Sequence, residues 1–192
     1  APPDPEADVL GWENGYWHNE SIDVTRADGL NDTELDAVVA RGMARVEYVR
    51  GLEFGETPPV EVISREEFKQ NSRQEYENLT REDRLLHNIK YEALFMVGED
   101  SSSVAVAREN LAGGVGGYYD PRAGEIKIVS NNLTTPKMNE ITLSQELFHA
   151  LQDQQFNISS FNQTTRELHN ARDGIIEGDG NYVDRLYQQQ CT

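Results

Sequence analysis

Thirteen residues constrain this chain more than any others: Thr142-Leu143-Ser144-Gln145-Glu146-Leu147-Phe148-His149-Ala150-Leu151-Gln152-Asp153-Gln154. Leu143, Leu147, Ala150 and Leu151 recur at three- and four-residue steps, the period of a helix stripe turned toward a core. Gln145, His149 and Asp153 recur at four-residue steps on another face, with Glu146 beside them. A helix that is apolar on one side and carries imidazole, carboxylate and amide groups on the other belongs inside a domain, facing a second element.

The rest of the sequence can supply that domain. Its 192 residues suit one domain with an irregular end, and 37% hydrophobic residues are enough for a modest core. No apolar run approaches the roughly 20 residues of a membrane helix, so no membrane insertion is expected. The net charge of −17 repels phosphate backbones and anionic lipid, which argues against nucleic acid and membrane surfaces as partners. Cys191 is the single cysteine, which excludes an internal disulfide framework and a multi-cysteine zinc knot. An external partner for it is expected beyond Thr192.

Two compositional biases point outside the cell. There are 13 arginines and only four lysines against 34 acidic residues, the balance of a surface kept soluble in high salt, where screening suppresses self-repulsion. Six Asn-x-Ser/Thr sequons, at Asn19, Asn31, Asn78, Asn132, Asn157 and Asn162, exceed the one or two expected by chance and fit an exported, glycosylated protein. Ala1-Pro2-Pro3-Asp4-Pro5-Glu6 has neither a basic nor an apolar signal region and reads as a mature N-terminus, so the targeting segment is expected outside this sequence.

Residues 1–31 read as an irregular arm whose Trp12, Tyr16 and Trp17 pack onto the domain formed by 32–192. Helical periodicity begins after Asn31-Asp32-Thr33, with Leu35, Val38, Val39, Met43, Val46 and Val49, and ends at Gly51. Val60–Ile63 alternates as a short strand, and Ser64-Arg65-Glu66-Glu67 is a capping box. A helix after Thr80 is expected to turn Leu85, Leu86, Ile89, Leu94 and Phe95 inward, and Ser101–Ser103 open another. The glycines of 113–117 lack the Lys-Ser/Thr of a phosphate loop and precede a strand. Tyr118–Val129 reads as a β-hairpin with Asp120-Pro121 and Gly124 at its turn. Helices over about 139–155 and 165–190 close an α+β domain, mostly helical with a small antiparallel sheet.

A zinc peptidase helix presents histidines at i and i+4 with a glutamate after the first, so that both rings reach one metal beside the carboxylate. Here the pattern is Gln145-Glu146-x-x-His149. Thr142-x-x-Gln145 is also a capping-box pattern, which would make Gln145 a helix-start residue. A third ligand usually comes from a neighbouring helix, and Ile175-Ile176-Glu177-Gly178-Asp179-Gly180-Asn181-Tyr182 offers Glu177. Asp179 or Asn181, and Asp153, could orient ligands by hydrogen bonds. Gly178 and Gly180 each cost roughly 1 kcal/mol of helix propensity, which close helix approach would explain.

These residues resemble the gluzincin zinc metallopeptidases, and more closely a group of exported predicted metallopeptidases of haloarchaea and bacteria with "His-Glu-Leu-x-His-Ala-Leu-Gln-Asp-Gln" and "Glu-Gly-Asp-Ala". Glu146-Leu147, His149–Gln154 and Glu177-Gly178-Asp179 match, and the resemblance covers about residues 34–190. It implies a zincin-like fold with an active-site helix, a zinc ion, His149 and Glu177 as ligands, Glu146 as general base, and an extended peptide or protein substrate laid along the strand at Tyr118 and Tyr119. The departure is Gln145, where the family has its first histidine; an amide oxygen is a weak zinc donor. Zinc should then bind weakly or not at all. Three explanations stand: a substitution introduced to inactivate a peptidase, a natural pseudoenzyme, or completion of the site by another residue, of which His169 is nearest. The alternative from another class is a non-catalytic cell-surface binding module that retains the fold.

Overall fold

Asn31 starts the first long helix by accepting from the N–H of Glu34, whose side chain returns the bond to the Asn31 N–H, and α1 runs Asp32–Arg50. Gly51 ends it in the left-handed region, φ 71°. The computed structural model describes residues 2–25 and 27–191; Ala1 and Thr192, on which the readings of the two ends rest, lie outside the described residues, as does Arg26.

The chain divides into two units. The first is formed by residues 1–62 and 116–192. Its opening stretch, read from the sequence as an irregular arm, contains an antiparallel hairpin, β1 (Trp12–Glu13) and β2 (Tyr16–Trp17). Asn14 and Gly15 both have positive φ, as the two-residue turn of a twisted hairpin requires. A three-stranded sheet follows in the order β3-β5-β4, from β3 (Val60–Ser64), β4 (Gly117–Asp120) and β5 (Glu125–Ser130). β4 pairs antiparallel with β5, Tyr119 opposite Ile126, and lies at the sheet edge. Ile126 and Ile128 are fully buried on one face, as the alternation predicts.

Two helices close this unit, α5 (Glu140–Phe156) and α6 (Arg166–Gln190). Asn139 caps α5 by accepting from the Ile141 N–H. Thr142 and Gln145 therefore lie inside the helix, and the capping reading of Gln145 is wrong. The core joins α1, α5, α6 and the sheet around Met43, Val46, Ile128, Leu147, Phe148, Leu151, Val183 and Tyr187. Gly42, a weak helix former inside α1, has a packing reason: a Cβ there would meet Leu147 Cδ1 at 2.8 Å.

Gly29 sets the tightest backbone constraint. Its φ is +84°, and a Cβ would stand 2.2 Å from the Thr135 carbonyl oxygen, beside the Leu30 N–H bond to Pro136 O. Gly124 also has positive φ, +68°, with nothing within 4 Å of its Cβ position. Gly29→Ala should therefore lower the urea-unfolding free energy by about 2–3 kcal/mol and Gly124→Ala by about 1 kcal/mol, the difference being the carbonyl clash.

The second unit, residues 63–115, carries α2 (Arg65–Glu77), α3 (Arg81–Ala93) and α4 (Ser103–Gly114). Thr80 and Asp83 cap α3 reciprocally, and Asn88 accepts from the N–H and hydroxyl of Ser103. The apolar residues expected to face inward do not: Leu85, Leu86, Ile89, Leu94 and Phe95 are all exposed, Phe95 at 96%. Helical period establishes that a helix has an apolar stripe, but not that a partner covers it.

Candidate active site

Helices α5 and α6 run antiparallel and touch along their length. Gln152 Nε2 donates to Ile176 O, Gly180 lies against the His149 ring, and the Tyr187 hydroxyl donates to Glu140. Close approach does not explain either glycine of this stretch: a Cβ at Gly180 would be in ordinary contact with His149 Cε1 at 3.4 Å, and Gly178 has nothing within 4 Å.

His149 is 9% exposed. Its Nδ1 lies 2.9 Å from Gln152 Oε1. The Gln152 amide nitrogen donates to Ile176 O at 3.3 Å and to Asp179 Oδ2 at 3.4 Å, so its oxygen is the acceptor and the His149 proton sits on Nδ1. Asp179 is held in turn by Arg50, 3.2 Å away. The relay Arg50–Asp179–Gln152–His149 thus fixes the ring and leaves the Nε2 lone pair facing Glu177 Oε2 at 3.8 Å. Two electron-pair donors facing each other at that distance suit a cation.

Glu146 is also 9% exposed. One carboxylate oxygen accepts from the Tyr119 N–H of edge strand β4 at 2.9 Å. Burial pushes its carboxyl up to about 7, an effect opposed by the Tyr119 bond and reinforced by the charges of Glu177 and Asp184. A carboxylate that titrates near neutral pH suits proton transfer. Gln145, Glu146, His149, Glu177, Tyr118 and Tyr119 line one cleft of about 370 Å³.

The remaining sequence candidates take other places. Asp153 accepts from the Tyr119 hydroxyl at 2.9 Å and so ties β4 to α5, rather than bonding to the imidazole. Asn181 donates to the backbone carbonyl of Glu177 and is exposed. His169, the residue nearest in sequence for completing the site, is engaged by Gln163 and Asp173 and does not line the cleft.

Two residues of the relay behind His149 escape sequence reading: Gln152 and Arg50. Gln152 stands one turn from His149, and that spacing was the available signal.

As metal donors, His149 Nε2 and the Glu177 carboxylate suit zinc in chemistry and tautomer, while Gln145 offers a neutral amide. Among the described residues no group of three or more His, Cys, Asp or Glu side chains is arranged to hold a metal ion. Comparison with known proteins finds no matching family model, no similar curated protein and no similar solved structure.

Proposed function

We propose that this chain is a zincin-type metallopeptidase relative, built to hydrolyse peptide bonds in an extended substrate, whose zinc affinity and activity are curtailed by Gln145. The observation that carries the reading is the lone pair of His149 Nε2 facing Glu177, with Glu146 in the same cleft and tied to an edge strand. His149 and Glu177 would hold zinc, with Gln145 as a weak third donor. Zinc in such a site supplies Lewis acidity toward a scissile carbonyl and toward water.

The chain's own residues do the rest. Gln152, backed by Asp179 and Arg50, keeps the proton on His149 Nδ1. Glu146 takes a proton from the attacking water, and its burial sets its affinity for that proton near the working range. Strand β4, at the sheet edge beside the cleft, lends backbone groups to an extended peptide, and Tyr119 is held in place by Asp153.

The test is zinc content and peptide hydrolysis before and after Gln145→His. Gain of both supports the peptidase reading; loss of both expectations overturns it. The two-donor set favours a second reading, a cell-surface module that binds extended peptides without cutting them. Peptide binding that persists without cleavage after Gln145→His would select it.

Export into a saline medium is part of the proposal, supported by the net charge of −17 and the sequons. Raising salt from about 0.1 to about 1 M shortens the screening length from about 10 to about 3 Å. The melting midpoint should rise across that range as acidic self-repulsion is screened, and a flat or falling midpoint counts against adaptation to salt.

A further inference from the structure

Acidic residues outnumber basic ones 34 to 17 in this chain, yet one cleft reverses the balance. It has a volume of about 380 Å³ and lies within the second unit. Lys69, Ser72 and Arg73 of α2 and Arg108 and Glu109 of α4 line it, beside Phe68. Three cations thus share the cleft with one carboxylate. None of these residues lines the cleft of His149.

The three cations are also uncommitted. Among the described residues, Arg41, Arg45, Arg50, Lys127 and Arg172 are each held by a carboxylate, whereas Lys69, Arg73 and Arg108 form no ion pair. Acids stand at helical pairing distance in the sequence: Glu66 is three residues before Lys69 and Glu77 four after Arg73. Lys69 and Arg73 are instead four residues apart on one face of α2, where like charges repel. Lys69, Ser72 and Arg108 are half-buried, so solvent screens that repulsion less than on an open surface.

An anion in the cleft would offset the repulsion. The cations come from two helices and a hydroxyl stands among them, so the anion must offer acceptors in several directions. A tetrahedral phosphate group does so and matches the guanidinium fork, whereas a carboxylate holds its two oxygens in one plane. The net charge of −17 repels long polyanions and anionic surfaces, which leaves compact ligands. A volume of about 380 Å³ is in the range of small-molecule sites.

We propose that the cleft of α2 and α4 binds the phosphate group of a small soluble molecule, with Arg73 and Arg108 as the principal donors and Lys69 and Ser72 completing the set. The proposal is independent of the metallopeptidase reading.

The experiment is isothermal titration calorimetry of the whole chain at about 0.1 M salt, where charges act over about 10 Å. The probes are inorganic pyrophosphate, glycerol phosphate and citrate, and co-sedimentation with phosphatidic acid vesicles is measured in parallel. Both phosphate probes should bind one to one, citrate more weakly, and vesicles not at all. Arg73→Gln and Arg108→Gln should each weaken phosphate binding about 10–100-fold, the worth of one hydrogen bond to a charged group. Arg166→Gln makes the same change of charge at an exposed position of α6 and should stay within about two-fold. Melting midpoints of the two cleft variants should hold or rise, because a like-charge contact is relieved.

Failure of both phosphate probes to bind overturns the proposal, as does citrate binding as tightly as pyrophosphate. Equal weakening by Arg166→Gln would show that net charge, not the cleft, governs binding. Vesicles captured while the soluble probes are ignored would assign the cations to a lipid surface instead. Lowered melting midpoints with no change in probe binding would mean that the cations serve the fold alone.

Discussion

Gln145→His is expected to raise zinc affinity by about two orders of magnitude, because the roughly 10–16 kcal/mol of a four-ligand zinc site is on the order of 3 kcal/mol per ligand. The gain should be large because the receiving geometry is in place. His149 already has its Nδ1 proton committed to Gln152 and its Nε2 turned toward Glu177. A second imidazole one turn earlier on α5 enters the same cleft without displacing the helix, since Gln145 lines that cleft now. Adding Glu146→Gln to that variant should leave zinc affinity nearly unchanged, since Glu146 is not among the donors. Hydrolysis should fall by about 10²–10⁴-fold, the usual worth of a positioned proton acceptor. Equilibrium dialysis and cleavage of a quenched peptide library measure the two effects independently. Restored zinc binding with no cleavage would instead favour the peptide-binding module.

The sequence conveyed this site unevenly. The four-residue steps of Gln145 and His149, with Glu146 beside them, placed three groups on one side of α5, and the structure has all three in one cleft with Glu177. Helix ends were legible because capping is local: Asn31, Thr80 and Gly51 act on backbone groups within four residues of themselves. The hairpin at Tyr118 was legible for the same reason. The relay behind His149 was not. Its members come from α1, α5 and α6, and Arg50 and Asp179 are 129 residues apart. No periodicity encodes a bond of that span. The exposed stripe of α3 shows the converse limit, since Leu85, Leu86 and Ile89 have the spacing of a buried face and remain in solvent. Gly42 reads as a weakness in its helix until Leu147 is seen against it.

The largest expected loss of stability comes from Glu47→Ala. Glu47 is fully buried, and its two carboxylate oxygens accept from the Gly11 N–H at 2.9 Å and the Phe54 N–H at 2.8 Å. It thereby holds the segments before and after α1 to that helix. Removing it leaves two buried backbone donors unpaired at about 1–3 kcal/mol each, so a loss of about 3–5 kcal/mol in urea unfolding is expected once the cavity is added. Glu13, 5% exposed, faces Glu47 from the hairpin. Its carboxyl is pushed up to about 8 by burial, by a hydrogen bond to Glu47 and by the charges of Glu47, Asp8 and Glu53. Glu47 is also raised by burial, against the lowering effect of its two N–H bonds. A raised carboxyl means that the folded chain binds a proton the unfolded chain releases near 4.5. Its contribution to stability is therefore complete below about 4.5 and is lost as pH rises toward 8. Glu146 acts in the same direction but is spent near 7, and His18, whose value is lowered by burial, matters only on the acid side of 6.5. The fall in urea midpoint between pH 7 and 8 thus belongs to the Glu13–Glu47 pair. Glu13→Gln, which keeps a hydrogen-bonding head and removes the ionisation, should flatten it there and lessen, without abolishing, the decline below pH 7, to which Glu146 still contributes. A decline of unaltered steepness above pH 7 in that variant would show that the shared proton does not hold the hairpin to α1.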